Sequence, residues 1–335
     1  MSRYKLRANY DIENIDSQKM DGTVIVDVPM LSNGELNYGL SHIKKKLYEE
    51  NVYPSEIGFD IMSLATMVYM ADTRIERVVH GQDSWTREIE LEIPVSNVEI
   101  WDSQIHTVER MLKFLTGDLW KITLSSRVWQ FNNLEEVREK SNKYDEVSLF
   151  SGGMDSLIST INLMENKKNT LLISHAGEGL TKNAQKNIVN KFDLLYPDVL
   201  HTWLDLWMVF PRDYIPAGGN DNNTRSRSFL FIGYALFAMT GMDNINELLV
   251  PENGLIALNV PLDETRVGSF STRTTHPFYL SLWNELLVGL GLNLSVKNPY
   301  WNKTKGEMAA ECLNKDRLMD AMGKSYSCSS VNNAN

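Results

Sequence analysis

Ser151-Gly152-Gly153-Met154-Asp155-Ser156 follows the strand-like run Glu146 to Phe150 and opens the helix-like run Met154 to Glu165. Two adjacent glycines have no Cβ, so the backbone reaches left-handed angles and can turn several N–H groups toward one anion. The helix that starts at once adds its free first-turn N–H groups and its positive dipole end. Ser151 and Ser156 bring hydroxyl donors. Asp155 suits such a place if it holds Mg²⁺, caps the helix or accepts from loop amides. Strand, loop and helix together predict a phosphate cradle; the alternative is an ordinary Gly-Gly turn with a serine cap. The lysine-bearing GxxxxGK[ST] loop is absent from the sequence, so the usual nucleoside triphosphatase signature is not the one in play.

Outward from this loop, the second half alternates strands and helices. Thr170 to His175 reads as a strand, Thr181 to Leu195 as a helix, Val199 to Val209 as a strand, Ser226 to Thr240 as a buried helix and Leu248 to Val250 as a short strand. That order predicts an α/β domain with a parallel sheet, whose ligands sit beyond the carboxyl ends of its strands. The residues after each strand are therefore the candidates. His175, Ala176 and Gly177 could read a base edge through their backbone, or simply form a flexible loop. Arg225 and Arg227 open the buried helix and suit a phosphate or carboxylate, or solvent. Ser271, Thr272, Arg273, Thr275 and His276 form a donor-rich cluster that is either a pocket wall or a surface turn. Lys305 would reach bound phosphates, while Thr304 and Glu307 make a capping box; both readings stand together.

The first half predicts a smaller α+β domain with an antiparallel sheet. Ile57, Ile61, Leu64 and Val68 recur at helical spacing, as do Ile105, Val108, Leu112 and Leu115, and Thr23 to Val28 is strand-like. Glu88 to Val95 alternates strictly, with Ile89, Leu91, Ile93 and Val95 on one face and glutamates on the other, the pattern of a half-buried strand. His42, His80 and His106 lie too far apart for a metal-ligand spacing. The polar run Asn132 to Asp145 marks a boundary, giving domains at 1–144 and 145–328 and a disordered tail at 329–335.

Composition narrows the partners. The formal net charge is −10, from 33 basic and 43 acidic residues without a long basic run, which disfavours nucleic acid as a direct substrate. Phe229 to Met239 is too short to cross a bilayer, and the start of the chain lacks a signal peptide's apolar stretch, so no membrane partner is expected. Two cysteines give no disulfide framework, which predicts a cytoplasmic address.

Ser-Gly-Gly-x-Asp-Ser after a strand resembles the loop of the PP-loop ATP pyrophosphatases. From Asp145 to Cys328 the chain resembles the QueC-like branch, the 7-cyano-7-deazaguanine synthases. It is most similar to the QatC subunit of Qat anti-phage defence systems, through Pro251-Glu252-Asn253-Gly254, the run Ala257 to Leu262, Arg266, Gly268, Ser271 to Pro277 and the Thr304-Lys305-Gly306-Glu307 segment. The resemblance implies an adenine nucleotide alpha hydrolase-like fold with ATP and Mg²⁺ as cofactors. It implies that Ser151, Gly152, Gly153, Met154, Asp155, Ser156 and His175 bind ATP, and that Asp155 and Lys305 are catalytic. Arg227, Asn253, Arg273, Thr275 and His276 would bind substrate. The reaction implied is adenylation of a carboxylate, that of 7-carboxy-7-deazaguanine, with release of pyrophosphate and transfer to an amine.

The chain also departs from the housekeeping pattern. It lacks the Gly-Tyr-Pro-Asp-Cys-type segment, which points to a protein amine, on a subunit of the same defence operon, as acceptor in place of ammonia. A four-cysteine zinc site cannot be built from Cys312 and Cys328, so the zinc module is either lost or belongs to a longer version of the chain. The alternative function is a catalytically quiet ATP-binding scaffold in a defence complex. A tRNA-thiolating enzyme would need reactive cysteines and a basic surface, and the chain is poor in both.

Overall fold

The computed structural model describes residues 3–131, 140–175, 179–208, 210–221, 225–259 and 273–325. Its first sheet contains β1 (Arg3–Asn9), β2 (Asp16–Met20), β3 (Thr23–Pro29), β6 (Glu88–Val95) and β7 (Leu119–Ser126), in the order β2-β3-β1-β6-β7; β4 (Leu31–Ser32) and β5 (Glu35–Leu36) form a separate hairpin. The helices of this half are α1 (Leu40–Glu49), α2 (Glu56–Arg74), α3 (Arg77–His80), α4 (Val98–Asp102) and α5 (Ile105–Thr116).

The antiparallel sheet expected here is corrected by this register. β3, β1, β6 and β7 all run parallel, and β2 at the edge is antiparallel. A parallel sheet is normally covered on both faces and reads as unbroken apolar runs. In this sheet α2, α4 and α5 cover one face, while the other carries a ladder of ion pairs. Arg3 pairs with Glu88 at 2.5 Å, Lys5 with Glu90 at 3.1 Å and Glu92 at 2.9 Å, and Lys121 with Glu90 at 3.4 Å. That ladder produces the alternation that imitates a half-exposed antiparallel strand.

The second sheet is parallel throughout. β8 (Glu146–Leu149), β9 (Thr170–His175), β10 (His201–Leu206), β11 (Glu247–Leu249) and β12 (Ser295–Lys297) lie in the order β10-β9-β8-β11-β12. Its helices are α6 (Met154–Glu165), α7 (Gly179–Leu195), α8 (Arg227–Met239), α9 (Gly254–Ala257), α10 (Pro277–Gly289), α11 (Lys305–Ala310) and α12 (Lys315–Met322). Successive strands move outward from β8 to β10, and the chain then returns to β11 on the other side of β8. The strand order therefore reverses between β8 and β11, and the crevice beyond their carboxyl ends is where such sheets take ligands.

Two long helices join the sheets. α2 lies on β1 and β6 and packs against α8, which lies on β8 and β9, so the layers run sheet, helix, helix, sheet. The contact is close because it is made at small residues. A Cβ on Gly233 would fall 2.9 Å from the Ala65 methyl, and one on Gly58 would fall 2.2 Å from the Thr240 hydroxyl. One hydrophobic cluster runs through these layers from Tyr4 to Val296, and a second, around Phe150, Leu157, Phe192 and Met308, fills the space between the second sheet and α6, α7, α11 and α12. Among the described residues, no helix is long and apolar enough to cross a membrane.

Candidate functional site

The glycine loop sits at the switch point between β8 and β11. Gly152 has φ +81°, and a Cβ there would meet Gln185 Cγ at 2.9 Å, so both conformation and space require glycine. The loop is tied internally: Ser151 Oγ accepts from Gly153 N at 3.3 Å and lies 3.2 Å from Ser156 Oγ, which donates to Gly153 O at 3.0 Å. Gln185 on α7 steadies it from outside, donating to Ser151 O at 3.1 Å. Gly153 is the N-cap of α6 and no side chain caps the helix, so its first-turn N–H groups are not consumed by a serine or aspartate cap. Met154 opens the helix and packs against the second cluster.

Asp155 turns away from the helix start toward the loop after β11. Its Oδ2 accepts from Asn253 N at 2.9 Å and from Asn253 Nδ2 at 2.6 Å. Its Oδ1 lies 3.3 Å from Lys305 Nζ without completing a hydrogen bond, although the atom is buried. Asn253 also caps α9 by accepting from Ile256 N. Glu252, next to it, is held through its backbone by Asn298: it donates to Asn298 Oδ1 at 3.3 Å and accepts from Nδ2 at 2.8 Å. Its carboxyl lies within the field of the Asp155 carboxylate. Burial first, and then the charge of Asp155, push it up to about 7 against the opposing pull of Lys305. Lys305 is the first residue of α11, whose capping box between Thr304 and Glu307 is complete, and its side chain is about half exposed at 49%.

Ser151, Asp155, Ser156, Asn253 and Lys305 thus come together, with Glu252 and Gln185 added. Sequence reasoning missed the last two. Glu252 carried a signal, since it follows a strand at the ligand-binding edge; Gln185 lies inside a helix and carried none.

His175 and Arg227 form a second group at the end of β9. Arg227 Nη2 donates to His175 O at 3.2 Å, so that carbonyl is engaged by the arginine. The imidazole is fully buried against the edge of Tyr69, with ring centroids 5.6 Å apart and neither nitrogen partnered. Burial, and then the Arg227 charge, lower it to about 3, so it is neutral at physiological pH. Arg225 points elsewhere, over the Trp85 ring at 4.4 Å, with its Nη1 donating to Thr116 O at 2.7 Å.

Arg273, Thr275 and His276 form a third group facing α5. Arg273 lies 4.8 Å over the Phe114 ring and donates to Phe114 O at 3.0 Å. His276 caps α10 by accepting from Phe278 N at 3.1 Å. Burial, and then Arg273, lower its pKa. Thr275 is buried and its hydroxyl has no partner. Ala176, Gly177, the run 260–272 with Arg266, Gly268, Ser271 and Thr272, most of the boundary segment 132–145, and the tail with Cys328 lie outside the described residues. Cys312 is buried, and no group of three metal-ligating side chains occurs among the described residues.

No protein-family model and no curated protein matches this chain. Among solved structures, a ketoreductase domain from the bacillaene assembly line is similar over 87% of this chain and 77% of that one, at 8% identity and a TM-score of 0.25. At that TM-score the likeness bears on neither fold nor function.

Proposed function

We propose that this chain is an AMP-forming adenylating enzyme: it uses ATP to activate a carboxylate, that of 7-carboxy-7-deazaguanine, releases pyrophosphate and passes the acyl group to an amine. The observation that carries the reading is the meeting, at the switch point of a parallel sheet, of an uncapped glycine loop with Asp155, Glu252 and Lys305. A carboxylate is a poor electrophile, and its oxygen leaves only once it is esterified to a phosphoryl group. The protein's task is to hold phosphates in line with that oxygen and to meet the charge that develops as pyrophosphate departs.

The first-turn N–H groups of α6 and the Ser151 and Ser156 hydroxyls suit the phosphates. Lys305, half exposed beside them, supplies a mobile positive charge. The residues also fit Mg²⁺: Asp155 Oδ1 is buried without a hydrogen-bond donor and the Glu252 carboxyl lies against Asp155. A cation there would neutralise phosphate charge. The resemblance to QatC supports a protein amine of a partner subunit as acceptor, within an anti-phage system.

The test is ATP–pyrophosphate exchange by the purified protein with Mg²⁺, with and without 7-carboxy-7-deazaguanine. Exchange that requires the deazaguanine is expected, and Asp155→Ala and Lys305→Ala should each lower it about 100-fold. ATP binding without exchange, in a chain shown to be folded, would replace this reading with that of a quiet ATP-binding scaffold.

A further inference from the structure

The chain between β10 and α8 is fastened to the first half of the molecule. Tyr4 Oη donates to Ala217 O at 2.8 Å, and Glu76 N donates to Gly218 O at 2.7 Å. Asp221 is held twice: its N–H donates to Thr73 O at 3.1 Å, and its Oδ2 accepts from Arg77 N at 3.1 Å. The approach is close, since a Cβ on Gly218 would fall 2.2 Å from Arg74 O. Nearer the helix, Arg225 Nη1 donates to Thr116 O at 2.7 Å while its guanidinium lies 4.4 Å over the Trp85 ring, and Ser226 N donates to Asp72 Oδ2 at 2.8 Å. All of these partners belong to the first half.

The next residue is Arg227, the first of α8. A guanidinium there opposes the positive end of the helix dipole. Ser226 supplies no side-chain cap, and the fully buried Asp72 carboxylate of α2 offsets the charge in its stead. Among the described residues the hydrogen bond of the Arg227 guanidinium is from Nη2 to His175 O at 3.2 Å, so the other N–H groups of the fork are uncommitted. His175 closes β9, which places those groups at the edge where a parallel sheet takes its ligands. A fork set against its own helix dipole, with donors to spare at that edge, suits an anionic oxygen group, phosphate or carboxylate.

We infer that Asp72 and Arg225 are positioning residues: through Ser226 and the start of α8 they hold Arg227 in line with an anionic group of the bound ligand, so that the first half builds the site from behind. The identity of that ligand, ATP or the carboxylate to be activated, rests on the proposed function. The test is calorimetric titration of the full chain with ATP and Mg²⁺ and, separately, with 7-carboxy-7-deazaguanine, arranged as a double-mutant cycle. Arg227→Met should weaken whichever ligand the guanidinium meets about 20-fold. Arg225→Met keeps the packing over Trp85 and loses the bond to Thr116 O; it should weaken the same ligand about fivefold, and leave it unchanged in a chain that already carries Arg227→Met. Trp85→Leu, at a residue 44% exposed, removes only the ring under Arg225 and runs the same cycle with less burden on the fold, with an expected loss of about twofold. Equal losses with and without Arg227 would overturn the inference, because Arg225 would then act independently of it. So would a fall in Tm with both affinities intact. If Arg227→Met weakens neither ligand, there is nothing to position and the inference fails, while adenylation stands or falls on pyrophosphate exchange. The expected cycle in a chain that exchanges no pyrophosphate would keep the positioning role and remove the adenylation.

Discussion

Two buried clusters of charge are built from the same residue types and finished differently. In the first half, Arg87 bonds Asp72 Oδ1 at 2.6 Å and Asp118 Oδ2 at 2.7 Å, and Arg77 bonds Asp118 Oδ1 at 2.5 Å. Asp72 Oδ2 accepts from Ser226 N, so all four carboxylate oxygens have donors. Burial alone would raise the Asp118 carboxyl, yet Arg87 and Arg77 hold it below the usual range. In the second half, Asp155 and Glu252 share one half-exposed lysine, Asp155 Oδ1 lacks a donor, and Glu252 is pushed up to about 7. The complete cluster joins α2 and α3 to the residues immediately before β6, β7 and α8. The incomplete one faces the crevice, and its unmet bonding capacity is what a ligand would use.

The largest effect should come from breaking the complete cluster. Arg87→Met leaves two buried carboxylates short of their donor and should cost about 3–5 kcal/mol in urea unfolding. Asp155→Asn keeps an oxygen for the Asn253 donors and relieves the charge beside Glu252, so its stability should change by less than about 1 kcal/mol while exchange is lost. Equal destabilisation by the two substitutions would erase the distinction between the clusters.

The sequence exposed this contrast unevenly. β6, α6 and β9 begin and end where periodicity places them, because long apolar alternation or helical spacing is a local property. Strand direction is not local, and the ion pairs across β1, β6 and β7 disguised a parallel sheet. β12, three residues long, is too short to show a period. The loop and Asp155 were legible as a contiguous motif, as was Lys305 within its capping box. The role of Glu252 was not: it depends on burial against a residue far along the chain. The fastening of Ser226 by Asp72 was equally hidden, since it joins residues 154 positions apart.

A smaller effect tests whether Glu252 belongs to the incomplete cluster. Unfolded, its carboxyl ionises near 4.5; folded, it keeps its proton to about 7. Between these values the folded chain binds the extra proton, so stability should fall as pH rises from 4.5 to 7 and then level off, by up to about 3 kcal/mol. His175 has the opposite sign: lowered to about 3, it costs stability as pH falls below 6.5. The two slopes oppose each other between 4.5 and 6.5, so the difference between wild type and Glu252→Gln isolates the carboxyl. That difference should grow in favour of the variant up to about pH 7. A flat difference would remove Glu252 from the cluster.

The smallest effect concerns how Lys305 is aimed. Thr304 Oγ1 accepts from Glu307 N at 3.2 Å, and Glu307 Oε2 accepts from Thr304 N at 2.7 Å, so the box fixes the backbone one residue before the lysine. Thr304→Ala removes one of these bonds and should cost about 1 kcal/mol of stability. If the box serves the helix alone, exchange at saturating ATP will be unchanged. If it also sets the lysine's approach to Asp155, the exchange rate should fall about threefold, since a reacting group displaced by a fraction of an ångström loses alignment before it loses affinity. The long lysine side chain can recover part of that displacement through its own rotamers, which is why the loss should stay far below that of Lys305→Ala.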